Sequence, residues 1–165
     1  MKISELLQNG TITFSCEIFP PKPGGDIARM WEVVQGIAEL SPDFISVTYG
    51  AGGSTSKRTE EIASAIQEKH QIPALAHLTC VSSTREEVHQ QLDSLKQHGI
   101  ENILALRGDI PQDSSFPSPA QYRYACELIQ DIKSQGDFCI GAACYPEGHV
   151  ECERREDDID YLKYK

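Results

Sequence analysis

Short β-rich runs alternate along this chain with longer segments of helical period. "ITFSCEIF" (12–19), "DFISVTYG" (43–50), "PALAHLTCV" (73–81), "NILALRG" (102–108) and "FCIGAACY" (138–145) concentrate β-branched, aromatic and small apolar residues and predict strands. Residues 28–40, 56–70, 84–98 and 120–135 carry apolar positions at three- and four-residue spacing and predict helices. The plainest is "STREEVHQQLDSLKQHG", with Thr84 as N-cap, Glu87 three residues on, Val88, Leu92 and Leu95 on one stripe, and Gly99 past the end. Strand, helix, strand repeated in this way predicts an α/β fold with a parallel sheet and right-handed crossovers. The longest loops, "PPKPGGD" and "DIPQDSSFPSP", both follow strands, and no linker or low-complexity stretch divides the chain, so residues 1–165 read as a single domain.

Alternation within each strand assigns faces, because successive side chains point to opposite sides of a sheet. Ser15, Glu17 and Phe19 oppose Cys16 and Ile18; Ser46 and Thr48 oppose Ile45 and Val47; Leu75, His77 and Thr79 oppose Ala74, Ala76 and Leu78. In the fourth strand Ile103, Ala105 and Arg107 are expected to oppose Leu104 and Leu106, with Asp109 just beyond, and in the fifth Gly141, Ala143 and Tyr145 oppose Ile140 and Ala142. Each strand thus has an apolar face for helices and a face that turns polar toward its C-terminal end, where parallel β/α enzymes build their sites. Glu17 raises the sharpest question, since its apolar surroundings in "FSCEIFPPK" predict a side chain largely shut off from water. A buried carboxylate is costly unless paired, hydrogen-bonded or held protonated for a purpose. Singly, each residue also has an ordinary reading: His77 as a hydrogen-bonded core histidine, Arg107 with Asp109 as an ion pair, Glu17 as a partner of Arg107 or His77.

Composition narrows the function classes. A hydrophobic content of 39% fits a globular chain, and the formal net charge of −10 argues against nucleic-acid or anionic-membrane surfaces while leaving room for a local phosphate pocket. The apolar runs are too short to span a bilayer and "MKISELLQNG" lacks the core of a signal peptide, so a cytoplasmic protein with small-molecule partners is expected. Without an export signal, the six cysteines read as free thiols. Cys144, His149 and Cys152 in "CYPEGHVEC" match no common zinc spacing, and no metal is expected.

"FSCEIFPPK", "ISVTYGAGGS", "AHLTCV", "ILALRGD" and "YPEGH", in this order and at these separations, resemble the methylenetetrahydrofolate reductase family from about Phe14 to Lys165. The resemblance implies a (β/α)8 TIM barrel carrying FAD, reduced by NADH or NADPH, that converts 5,10-methylenetetrahydrofolate to 5-methyltetrahydrofolate. It implies that Thr48, His77, Arg107, Gly108, Asp109, Tyr145 and His149 line the FAD site, with Ala125, Asp158 and Lys165 as additions. By the same resemblance Glu17 is the general acid acting on the folate, and Asp109 lies where flavin and pterin meet. The folate ring opens only when its departing nitrogen gains a proton, and a semi-buried carboxyl group can supply one near neutral pH.

The family fold has eight strands and the pattern here supplies about five βα units, with "DDIDYLKYK" falling inside a further helix. A partial barrel is therefore expected, with little folate reduction by this chain alone and a tendency to associate with further copies through its open edges. The alternative is a half barrel that binds flavin or nucleotide without turnover, or an inactive fragment.

Overall fold

The computed structural model describes residues 1–22, 24–49, 56–81, 83–110, 117–149, 152 and 154–165. Gly50 at the end of the second predicted strand, the "AGGS" that follows it, and positions 111–116 of the long loop lie outside the described residues. The five expected strands form as β1 (Ser15–Ile18), β2 (Phe44–Val47), β3 (Ala74–Thr79), β4 (Asn102–Leu106) and β5 (Cys139–Ala142). They pair in parallel in the order β1-β2-β3-β4-β5. Sequential parallel pairing with crossovers of one hand puts the connecting helices on one side of the sheet.

Helices α2 (Ile27–Glu39), α3 (Ser56–His70), α4 (Arg85–Gln97) and α5 (Ala125–Gln135) form those crossovers. Each buries a stripe at helical spacing: Met30 and Val34; Ile62, Ala63 and Ile66; Val88, Leu92 and Leu95; Leu128, Ile129 and Ile132. These stripes pack on Ile45, Val47, Ala74, Ala76, Leu78, Ile103 and Ala105, the apolar strand positions, in one continuous core. The α5 start corrects the expected helix over 120–135. Arg85 N–H donates to the Ala120 carbonyl at 2.9 Å and Thr84 and Gln121 form a bridge, so the chain passes through a turn at 119–120, bends at 123–124 and becomes helical only at Ala125.

Two further helices flank this frame. The short α1 (Ile3–Gln8), which the apolar pattern did not predict, is fixed by the fully buried Asn102 at the start of β4. The Asn102 Oδ1 accepts from Ile3 N–H at 2.8 Å, and its Nδ2 donates to the carbonyls of Met1 at 3.1 Å and Ala74 at 3.3 Å. The last helix, α6 (Arg155–Tyr164), follows β5 and stacks Tyr161 on Tyr124, with ring centroids 5.4 Å apart. No helix among the described residues is long and apolar enough to cross a membrane.

The capping box anticipated on α4 is present. Glu87 N–H donates to Thr84 Oγ1 at 3.2 Å, and Thr84 N–H donates back to Glu87 Oε2 at 2.6 Å. The Thr84 backbone N–H, followed by its hydroxyl, holds the Glu87 carboxyl below its ordinary range. Thr84→Ala should therefore lower stability by about 1 kcal/mol, read as a lower urea midpoint with unchanged slope. Because the folded value is depressed, the Glu87 contribution is complete above the ordinary carboxylate value of about 4.3 and is lost as pH falls through the folded one. The stability gap between wild type and Glu87→Gln should accordingly be widest near neutrality and close on acidification. Asn102→Ala leaves two buried backbone groups, the Ile3 N–H and the Ala74 carbonyl, and the part-buried Met1 carbonyl without this partner, and should cost about 2 to 3 kcal/mol in the same measurement.

Candidate functional site

Parallel pairing brings the C-terminal ends of all five strands to one rim. Along β1, β2 and β3 the register sets Glu17 beside Ser46 and Ser46 beside Leu75, so Thr48 and His77 occupy the next positions on that same face. Ser46 Oγ donates to Glu17 Oε2 at 3.0 Å, and His77 Nε2 lies 3.4 Å from the same oxygen. His77 is buried at 8% exposure, and its Nε2 has no hydrogen-bond partner among the described residues. Burial pushes the His77 pKa down and the Glu17 carboxylate pulls it only part of the way back. Near neutral pH the imidazole is uncharged, and Glu17 faces a dipole rather than a cation.

Glu17 itself corrects the expectation of a side chain shut off from water, for 45% of it is exposed. The helices pack on the opposite face of the sheet, and on this one Leu75, Leu104 and Leu106 stay partly exposed while Ser46 and His77 are buried. Ile18, the next residue and one that faces the helices, is only 4% exposed.

The end of β4 brings a second correction. Register pairs Leu104 with His77 and Leu106 with Thr79, whereas Ile103 and Ala105 pair with the helix-facing Ala76 and Leu78 and are fully buried. The expected phase of this strand was therefore inverted, and strand alternation does not carry Arg107 to the polar face. Arg107 stands one residue beyond the strand, its Nε donating to the Gly108 carbonyl at 3.2 Å and its own carbonyl accepting from Val81 N–H at 2.9 Å. Gly108 turns the chain at φ +83°, and a Cβ there would meet Thr79 Cβ at 3.2 Å and Val81 Cβ at 3.5 Å. Only glycine combines that dihedral with that approach. Asp109 follows the turn as an exposed residue.

The remaining candidates gather around β5 and α6. Tyr145 and His149 meet edge to face at 5.0 Å between ring centroids, His149 N–H donates to Asp158 Oδ2, and Lys165 Nζ donates to the Ala143 carbonyl at 2.9 Å. Tyr145, Asp158 and Lys165 line a pocket of about 240 Å³ with Pro146, Ile159 and Leu162. Ala125, 9% exposed at the first position of α5, sits next to Tyr124, whose ring stacks on α6. The sequence candidates thus fall into two groups, Glu17 with His77 on the β1–β3 face and Tyr145, His149, Asp158 and Lys165 at β5 and α6. The Arg107–Asp109 turn lies on the rim between them. Sequence reasoning left Ser46 out, although alternation had already set it on the Thr48 side of β2. Its signal was cross-strand pairing, which one strand read alone does not contain. Cys80, fully buried, has its thiol pushed up to about 12 by burial and takes no part in this rim.

The family model described as methylenetetrahydrofolate reductase matches residues 2–165. The 5,10-methylenetetrahydrofolate reductase of Pectobacterium carotovorum subsp. carotovorum is 37% identical over 156 residues, covering 94% of this chain and 51% of that protein. The 5,10-methylenetetrahydrofolate reductase of Escherichia coli is 36% identical over the same shares, and methylenetetrahydrofolate reductase (NADH) 1 of Arabidopsis thaliana is 36% identical over 99% of this chain and 30% of its own length. The chain thus spans about half the length of these bacterial relatives or less of the plant one. Among solved structures, the 4-hydroxy-tetrahydrodipicolinate synthase of Methylacidiphilum fumariolicum SolV superposes with a TM-score of 0.57 at 17% identity, over 92% of this chain and 50% of that one. That likeness concerns the fold alone, and with five parallel strands in one sheet it fits a partial (β/α)8 barrel. With the family match running from residue 2 to residue 165, the chain belongs to the methylenetetrahydrofolate reductase family.

Proposed function

We propose that this chain forms the part of a cytoplasmic, FAD-dependent reductase that protonates 5,10-methylenetetrahydrofolate during its reduction to 5-methyltetrahydrofolate by NADH or NADPH. The observation that carries the reading is the shared face of β1–β3, where Glu17 is held by Ser46 beside a buried His77 nitrogen that has no hydrogen-bond partner among the described residues. A buried polar atom without a partner is unusual in a native protein and suits a position that a polar ligand atom completes. The Gly108 turn, packed against Thr79 and Val81, brings the end of β4 to the rim, and Arg107 and Lys165 set positive charge there in a chain whose formal net charge is −10. These features fit a flavin dinucleotide. Thr48, His77, Arg107, Gly108, Asp109, Tyr145 and His149, with Ala125, Asp158 and Lys165, would hold it. When bound, FAD supplies the two-electron chemistry that takes hydride from the nicotinamide and delivers it to the folate methylene carbon.

The protein's own residues supply position and a proton. Glu17 delivers the proton that the departing folate nitrogen needs as the five-membered ring opens to an iminium ion. Its partial exposure leaves the carboxyl accessible to substrate, and the uncharged His77 does not tie it up as a salt bridge. Arg107 and the backbone around Gly108 suit an anionic diphosphate. Asp109 sets a carboxylate where flavin and folate would meet, which disfavours further negative charge there.

The same exposure of Glu17 favours a second reading, a half barrel that binds flavin or nucleotide without turnover, since general acids work best where water is excluded. Nicotinamide oxidation with an artificial electron acceptor separates the two readings, and absence of bound flavin from the purified chain would contradict both. The edges of β1 and β5, unpaired among the described residues, should also make the chain associate, which light scattering over a concentration series reads directly.

The role of Glu17 is tested by Glu17→Gln in this chain joined to the remaining half of the Escherichia coli relative. Flavin binding and nicotinamide oxidation should persist, while folate reduction falls by on the order of 10² to 10⁴. Equal losses in both half-reactions would make Glu17 structural instead.

A further inference from the structure

We infer that Ser46 is a positioning residue for Glu17, its hydroxyl fixing one carboxylate oxygen so that the other is presented to the substrate. The inference rests on the reading of Glu17 as the acid and adds the residue that aims it. Glu17 has three rotatable side-chain bonds and a side chain that is 45% exposed, so packing alone does not hold it. Among the described residues, the only hydrogen bond reaching that carboxylate comes from Ser46 Oγ, at 3.0 Å to Oε2. The neighbouring His77 Nε2, 3.4 Å from the same oxygen, makes no hydrogen bond with it. Ser46 is in turn rigidly supplied: it is 7% exposed, lies inside β2 with register partners on both sides, and stands directly across from Glu17.

This arrangement divides the work of the two carboxylate oxygens. Oε2 is occupied as an acceptor of the Ser46 hydroxyl, so a proton carried by the group rides on Oε1, which has no hydrogen-bond partner among the described residues. The acid is thereby given a direction: the bound edge faces the sheet and the proton-bearing edge faces the uncovered side where a substrate can approach. An ordinary structural serine would satisfy its hydroxyl on a backbone carbonyl of its own element. Here the hydrogen bond goes across the ladder to the one carboxylate on this face of β1.

The test reads geometry rather than turnover, through the NMR titration of the His77 ring in the 165-residue chain. Glu17→Gln removes a neighbouring negative charge and should lower the His77 midpoint by roughly 0.5 to 1 pH unit. Ser46→Ala frees the carboxylate to swing into solvent and should reproduce at least half of that drop, while Ser46→Thr, which keeps the hydroxyl, should stay at the wild-type midpoint. Should Ser46→Ala fail to fold, Ser46→Cys, close in shape but a far weaker donor, should show the same fall. In the Glu17→Gln background, Ser46→Ala should add nothing. A His77 midpoint unmoved by Ser46→Ala but moved by Glu17→Gln would overturn the positioning role, as would an equal effect of Ser46→Ala in both backgrounds. That result with the folate defect of Glu17→Gln intact sinks the role of Ser46 alone; a completed cycle with folate reduction intact in Glu17→Gln sinks the acid reading instead.

Discussion

The parallel register of β1, β2 and β3 is the constraint on which the candidate site depends. Residues paired across a parallel ladder share a face, and a slip of one residue would turn each side chain to the other side. With Cys16 set against Ile45 and Ile45 against Ala74, the apolar positions of these strands meet the helices. Glu17, Ser46 and His77 are left together on the other side as a consequence. The same burial that drives Ile45, Val47 and Ala76 under α2 and α3 therefore aligns three polar groups that are far apart in sequence.

That face is the open one, and its openness shapes both chemistry and association. Helix cover on one side only leaves Leu75, Leu104 and Leu106 partly exposed beside the polar groups, and leaves the backbone edges of β1 and β5 unpaired among the described residues. In a closed barrel these features would be interior. Bacterial relatives of about twice this length are consistent with such closure, and the present chain holds the strands that carry Glu17 and His77, the Gly108 turn and the β5–α6 pocket.

Much of this was legible in the sequence because period-two runs, helix stripes and the Thr84–Glu87 cap are local signals with local causes. All five strands and the four crossover helices could be read that way, whereas the helical character of the final segment came from the family resemblance. What escaped was non-local. Glu17 sits in an apolar stretch, yet burial is decided by what packs on its face of the sheet, and there its side chain stays 45% exposed. The phase of β4 was misread because Arg107 was counted as a strand residue, when the strand ends at Leu106 and the chain turns at Gly108. The short α1 depends on Asn102, about a hundred residues away, and its six residues carry too little periodicity to announce themselves.

The central claim is that a flavin lies along the rim defined by the polar face of β1–β3, the Gly108 turn and the β5–α6 pocket. Titration of the isotopically labelled chain with FAD, followed by backbone amide shifts, tests it most directly. The account predicts saturable changes concentrated at Thr48, His77, Gly108, Asp109 and Tyr145, with the helix-facing Ala76, Leu78 and Ile103 and the outer faces of α2 and α4 little affected. Changes confined to the helix layer, or none at saturating FAD, would contradict it.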